Sequence, residues 1–217
     1  MSLSDWRLKE FKNCKEFPKY LYYLSSKENF QSILTNGILS KNEIQNKKIS
    51  YKSFAEEDVQ KRRSEIQINI SDGLTRCSLH ELVPLYFNPK SPTLYSRQAY
   101  QNDYFFCKIS PIKIISGLKK KFAFTDGNAA SDNTKQFWNL KKLQILKWNI
   151  INSEFWNDFE DGKRIRNAEF LIHQKIEIKY ISAFVVNNND LKNTFEIELN
   201  KKSIKIPVKV DKFCFFN

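Results

Sequence analysis

A chain of 217 residues that is 41% hydrophobic and 14% aromatic holds enough apolar material for one packed domain and excludes general disorder. Its 36 Lys and Arg against 24 Asp and Glu leave +12, which favours a polyanionic partner such as nucleic acid, although a lysine-rich genome produces the same bias. No apolar run approaches the ~20 residues that span a bilayer, so no membrane partner is expected.

The opening stretch MSLSDWRLKEFKNC lacks an apolar signal core and a small-residue cleavage site, which argues against that secretory route. KYLYYLS (19–25) reads as an aromatic strand. SSKENFQSILTNGI follows as a helix, with Ser26 as N-cap, Phe30, Ile33 and Leu34 on one face and Gly37 as the stop. The polar stretch 41–49 reads as a loop. SFAEEDVQKRRSEI (53–66) reads as a helix, acidic in its first turn and basic near its end, as the helix dipole prefers. In HELVPLYFNPKSPTLYS (80–96), Pro84 permits at most a short edge strand, and Pro89 and Pro92 predict a rigid extended loop. YFFCKISPIKII and FAFTDG read as strand-like segments, the second turning at Gly127. Residues 133–156 read as helical from the spacing of Phe137, Leu140, Leu143 and Leu146. Alternation in AEFLIHQKIEIKYISAFVV and FEIELNKKSIKIPVKV predicts strands, with a hairpin turn at 200–203. No repeat or linker interrupts the chain, so 1–217 reads as one α+β domain.

Cys14, Cys77, Cys107 and Cys214 stand far apart and form no CxxC pair. With His80 and His173 as the two histidines, no metal site is expected, and the thiols suit a reducing cytoplasm. Four patterns can carry chemistry. Glu169 leads into the apolar run Phe170–Ile172 just after Lys163, Arg164 and Arg166; it is either a paired strand-start residue or a positioned catalytic carboxylate. Of Arg62 and Arg63, adjacent on a helix, at most one can line a given pocket. Tyr86 and Tyr95, in the proline-rich stretch, can wall a flat heteroaromatic ring or pack in the core. Asp161 with Glu177 and Lys179, two apart on an expected strand, is the short pattern of a metal-dependent PD-(D/E)xK nuclease, and alternation produces it by chance as well.

Five segments in order resemble the DarT family, the toxin half of DarTG toxin–antitoxin pairs. YLYYLSSKENFQSIL is similar to its "YHIT…NL..IL" segment, DVQKRR to its I-x-x-RR helix, and LVPLYFNPKSPTLY to its "VPFYF-x-P-x-SPMLY" loop. FAFTDGNAA resembles its "FTDxHAA" turn and FWNDFEDGKRIRNAEFLIH its "YWND…RKRQAEFLV" ending. The resemblance runs from about residue 20 to 186. It implies an ADP-ribosyltransferase-like split β-sandwich core with flanking helices that uses NAD to modify a base of single-stranded DNA. Thymidine and guanosine are both family targets, and related enzymes act on RNA. By the same resemblance Glu169 and Arg63 match the catalytic pair, and Tyr23, Leu24, Ser25, Ser32, Ser40, Arg63, Tyr86, Tyr95 and Asn128 fall at NAD-pocket positions. Lys163, Arg164, Arg166 and Lys90, with the lysines at 119–121, are expected to meet phosphates. A cognate macrodomain-type antitoxin is the implied partner. Tyr23 and Asn128 replace family histidines, and Thr93 a methionine.

Overall fold

The computed structural model describes residues 9, 13–53, 57–118 and 121–216. The expected positions 119 and 120, the first turn of the 53–66 helix and most of the N-terminal stretch lie outside these.

The apolar alternation of LYYLSS forms β1 (Leu21–Ser26), and a 3-10 turn (Lys27–Asn29) leads into α1 (Phe30–Asn36). Gly37 ends that helix at φ 76°, where an added Cβ would run into the Ile176 carbonyl. β2 (Ile38–Leu39), α2 (Lys41–Asn46), α3 (Glu57–Glu65) and the hairpin β3 (Gln67–Asn69)–β4 (Arg76–Ser78) follow. Then come β5 (Leu82–Tyr86), α4 (Pro92–Tyr95), β6 (Tyr104–Ile109), α5 (Pro111–Leu118), β7 (Phe122–Thr125) and β8 (Gln136–Phe137). The last third holds α6 (Trp148–Ile151), α7 (Gly162–Arg166), β9 (Glu169–His173), β10 (Lys175–Ile176), β11 (Ile181–Val186), α8 (Asn189–Lys201) and β12 (Val208–Val210).

Eight strands form one mixed sheet in the order β12-β11-β6-β1-β5-β9-β7-β8. It is nearly two sheets. β1 runs antiparallel to β6 over six residue pairs, whereas β1 and β5 pair at Tyr22↔Tyr86 alone. Aromatic rings fill the space behind it: Phe30 stacks on Phe195 with centroids 3.5 Å apart, and Phe105 and Phe184 meet Phe30 edge-on. Burying each such ring contributes about 1.5–3 kcal/mol.

Several expectations are corrected. Residues 41–46 form a helix, not a loop: the Ser40 hydroxyl accepts from the Glu43 amide, and Ile44 anchors the turn in the core. β5 is an interior strand despite Pro84, which lies where β5 pairs with β9 and has parted from β1, so the ladder does not need its missing N–H on that side. Pro92 starts α4, capped by Ser91, where a loop is expected, and SPIKII turns into α5 after the β6 strand. The leucines after residue 139 follow the three-residue period of a 3-10 turn (Leu140–Ile145), and the long helix is replaced by that turn, β8 and α6. FEIEL belongs to α8, not a hairpin. Leu191, Phe195 and Leu199 recur every four residues and are buried while Ile197 is 56% exposed, and the return strand β12 runs parallel to β11. Glu177 caps a 3-10 turn that contains Lys179 (Ile178–Tyr180), so the two share no strand face and the nuclease pattern loses its geometry.

Candidate active site

The parting of β1 from β5 opens a cavity of about 370 Å³, walled by Tyr23 and Leu24 on one side and Pro84 and Tyr86 on the other. That volume is in the range of small-molecule sites. At its floor Glu169, the first residue of β9, lies directly across from Tyr86 in the β5–β9 ladder. Its backbone amide donates to the Thr125 hydroxyl (3.1 Å), which in turn donates to the Gly127 carbonyl (2.6 Å). The strand start is therefore fixed before the side chain makes any contact.

Arg63, in the last turn of α3, reaches the carboxylate through two parallel hydrogen bonds of 3.1 Å: Nη1 to Oε1 and Nη2 to Oε2. The Ala129 amide adds a third, to Oε1 (3.1 Å). Oε2 thus accepts one bond and Oε1 two, which leaves Oε2 with more free acceptor capacity. The pair is largely desolvated, with side-chain exposures of 12% and 5%. Burial opposes the charge on Arg63, but the Glu169 carboxylate outweighs it and raises the guanidinium pKa above its ordinary value. Burial, helped by the Glu169 charge, pushes the Tyr86 phenol up to about 12. Tyr23, deeply buried, is also raised well above its usual range and lies 3.2 Å from the Tyr51 hydroxyl. Both phenols are neutral hydrogen-bonding walls at neutral pH.

Asn128, Ser40 and Lys163 also line the cavity. Asn128 is held by its own turn: its amide donates to the Arg164 carbonyl, and its side-chain oxygen accepts from the Ala130 amide. The remaining expected residues lie elsewhere. Ser25 is fully buried and accepts from Asn29, supporting β1 from behind. Ser32 sits on α1, where Asn36 donates to it. Tyr95 packs edge-on against Trp156 and Phe216 and is half exposed. Arg166 is 3% exposed; it donates to the carbonyls of Ile151 (2.5 Å), Ser153 (2.7 Å) and Lys90 (2.9 Å) and is not presented to a phosphate. Burial lowers its pKa to about 10, so it stays charged at neutral pH. Arg164 is tied to Asp126, Asp161 and Thr134. The Lys90 ammonium lies over the Phe216 ring at 5.8 Å. Lys163 is the member of that basic cluster that is both exposed and at the cavity.

Sequence reasoning missed Tyr51, His80 and Asn167, all lining the cavity. Tyr51 follows an apparent loop, and His80 opens the proline-rich stretch, so neither carries a periodic signal. Asn167 accepts from the Thr93 hydroxyl at 3.1 Å, which gives the residue standing in place of the family methionine a polar partner.

Comparison with known proteins decides the family. A model described as "ssDNA thymidine ADP-ribosyltransferase, DarT" matches residues 22–216. The chain belongs to the DarT family. It is similar to a DNA ADP-ribosyl transferase–DNA ADP-ribosyl glycohydrolase fusion protein of Thermosipho africanus, 32% identical over 206 residues, covering 92% of this chain and 50% of the relative. A DNA ADP-ribosyl transferase of Thermus aquaticus is 29% identical, covering 71% of this chain and 69% of the relative. The chain thus spans half the length of the fusion relative. Among solved structures, Thermus sp. 2.9 DarT in complex with ADP-ribosylated ssDNA superposes with a TM-score of 0.81 at 23% identity, over 92% of this chain and 97% of that one. Thermosipho africanus DarTG in complex with ADP-ribose gives 0.76 at 28% identity, over 92% of this chain and 51% of that one. The fold is accordingly the DarT-type α+β ADP-ribosyltransferase core expected from the motifs. Among the described residues no helix is long and apolar enough to cross a membrane.

Proposed function

We propose that this chain transfers ADP-ribose from NAD to a base of single-stranded DNA and releases nicotinamide. The observation that carries the reading is the buried, bidentate Arg63–Glu169 pair at the floor of a tyrosine-walled cavity, in a chain of the DarT family. Structures of one relative, Thermus sp. 2.9 DarT, hold NAD+ in one case and ADP-ribosylated ssDNA in another.

The residues present suit NAD. Arg63 offers a fixed guanidinium for its anionic half, Tyr23 and Tyr86 offer flat walls with hydroxyl donors, and Glu169 offers a carboxylate oxygen for a ribose hydroxyl. In the reaction the bond between the anomeric carbon and the nicotinamide nitrogen breaks, its electrons leaving with neutral nicotinamide, and a base nitrogen bonds to that carbon and releases its proton to solvent. The less engaged Oε2 of Glu169 stabilises the positive charge that grows on the ribose, as a carboxylate does in glycoside cleavage. Arg63 orients carboxylate and substrate; with its pKa raised, it is not the proton acceptor. Lys163 follows the phosphate backbone at the cavity edge. Single strands suit the site because their bases enter a pocket without unpairing.

The family description names thymidine, and we propose it as the target base ahead of guanosine. Four free, buried cysteines support a reducing cytoplasm as the setting. The glycohydrolase half of the Thermosipho relative supports a macrodomain-type antitoxin as partner. The test is intact-mass analysis of single-stranded DNA and RNA oligonucleotides incubated with the protein and NAD. One added ADP-ribose on thymidine-containing DNA is expected. A gain on RNA alone, or none on either, contradicts the reading.

A further inference from the structure

Tyr51 and Tyr23 line the same cavity, and their hydroxyls lie 3.2 Å apart. They reach it from different kinds of structure. Tyr23 is fixed by β1, where it lies across from Cys107 in the ladder with β6. Residues 49–53 form neither helix nor strand, so Tyr51 needs another anchor. The side chain of Asn29, 2% exposed, supplies it: its Oδ1 accepts from the Lys52 amide (2.8 Å) and its Nδ2 donates to the Lys52 carbonyl (3.0 Å). One buried carboxamide thus holds both backbone groups of the residue next to Tyr51.

The same Nδ2 also donates to the Ser25 hydroxyl (3.2 Å), and Ser25 in turn hydrogen-bonds the Tyr51 phenol. Proton counting gives this chain a direction. Ser25 receives the amide proton, so its own single proton goes to the Tyr51 oxygen. Tyr51 and Tyr23 carry two protons and share one hydrogen bond, which leaves one O–H over for a third group. With Tyr51 donating to Tyr23, the unshared proton is that of Tyr23, on the β1 wall of the cavity. Burial raises the Tyr51 phenol as it does Tyr23, so both keep their protons at neutral pH. An isolated phenol O–H turns about its C–O bond, whereas an imidazole N–H is fixed by its ring. A tyrosine at position 23 therefore needs a neighbour to aim its proton, and a histidine does not.

We propose that Tyr51 is a positioning residue for NAD: it donates to the Tyr23 hydroxyl and so presents the Tyr23 O–H to an acceptor oxygen of the dinucleotide. The two phenols together do what the motif resemblance gives to one histidine. The inference rests on the NAD reading above. It extends to Asn29 and Ser25, which act on the dinucleotide only through Tyr51.

The test is a double-substitution cycle in the whole chain, with NAD affinity read by titration calorimetry and turnover by mass gain on DNA. Tyr51→Phe and Tyr23→Phe keep the rings and each remove one hydroxyl. Each is expected to weaken NAD binding by roughly 3- to 10-fold, the worth of one neutral hydrogen bond. The double variant is expected to bind no more weakly than Tyr23→Phe alone, because Tyr51 then has nothing to aim. In Tyr51→Phe the KM for NAD should rise by more than kcat falls. A Tyr51 that only braces the loop would lower the melting temperature and leave NAD affinity per folded molecule at the parent value, and that result overturns the proposal. Penalties that add in the double variant overturn it as well, since Tyr51 then meets NAD on its own. A parent chain that binds no NAD overturns the NAD reading and takes the proposal with it, which separates the two failures.

Discussion

Two sets of arginines meet carboxylates or carbonyls near the same strand, and they do opposite things. Arg63 comes from a distant helix, forms a bidentate pair with Glu169, and faces a cavity. Arg164 and Arg166 come from the turn directly before Glu169 and are absorbed by the fold: one by Asp126, Asp161 and Thr134, the other by three carbonyls. The cluster that looks most like a nucleic-acid surface in the sequence is largely scaffolding. Of the two arginines near the basic end of α3, Arg63 supplies the site, while Arg62 pairs with Asp132 at the surface. Charge density along the chain reports how many cations are present, and the partners each one finds decide which of them remain available to a ligand.

The comparison breaks most visibly at the pair itself. Glu169→Gln and Arg63→Lys keep polar volume but remove the fixed carboxylate or the bidentate fork, and each should lower the rate of ADP-ribose transfer by about 10²–10³-fold or more, measured by mass gain on DNA. Breaking a buried pair at one partner also costs about 3–5 kcal/mol of stability, so the rates are compared per folded molecule, with the folded fraction read by circular dichroism. Arg166→Met should do the reverse. Three carbonyls lose their charged donor, which costs about 3 kcal/mol, or roughly 10 °C in melting temperature, while transfer per folded molecule is retained. Gly162→Ala sharpens the scaffolding half: its Cβ would collide with the Trp156 carbonyl, and calorimetry should show a loss of about 2 kcal/mol. The smallest effect is expected at the cavity edge. Lys163→Ala should weaken oligonucleotide binding evenly across sequences and reduce the log–log salt slope by about one.

How far the sequence was legible follows from which forces act locally. β1, β7 and β9 carry strong alternation and form where the pattern places them; α1 stops at Gly37 as expected, but its entry is a 3-10 turn and Ser26 makes no side-chain cap. Residues 41–46 read as a loop because one apolar residue, Ile44, gives no periodicity; their helix is made by the Ser40 cap and the core beneath it. FEIEL satisfies a period of two and a period of four at once, and only the tertiary position of Phe195 against Phe30 selects the helix. Pro84 argued for an edge because the parting of β1 and β5 is a property of the whole sheet, not of the residues around it. At the site, Glu169 and Arg63 are 106 residues apart, and no spacing rule joins them. The motif resemblance supplied what periodicity could not; of the positions it implies, Ser25, Ser32 and Tyr95 do not line the cavity.

The most direct test is to compare NAD-dependent mass gain on a thymidine-containing single-stranded oligonucleotide between the parent chain and Glu169→Gln, at matched folded concentration. One ADP-ribose added by the parent and none by the variant, with nicotinamide released in step, is the predicted result. Equal modification by both would contradict the assignment of Glu169 as the group that stabilises the departing ribose.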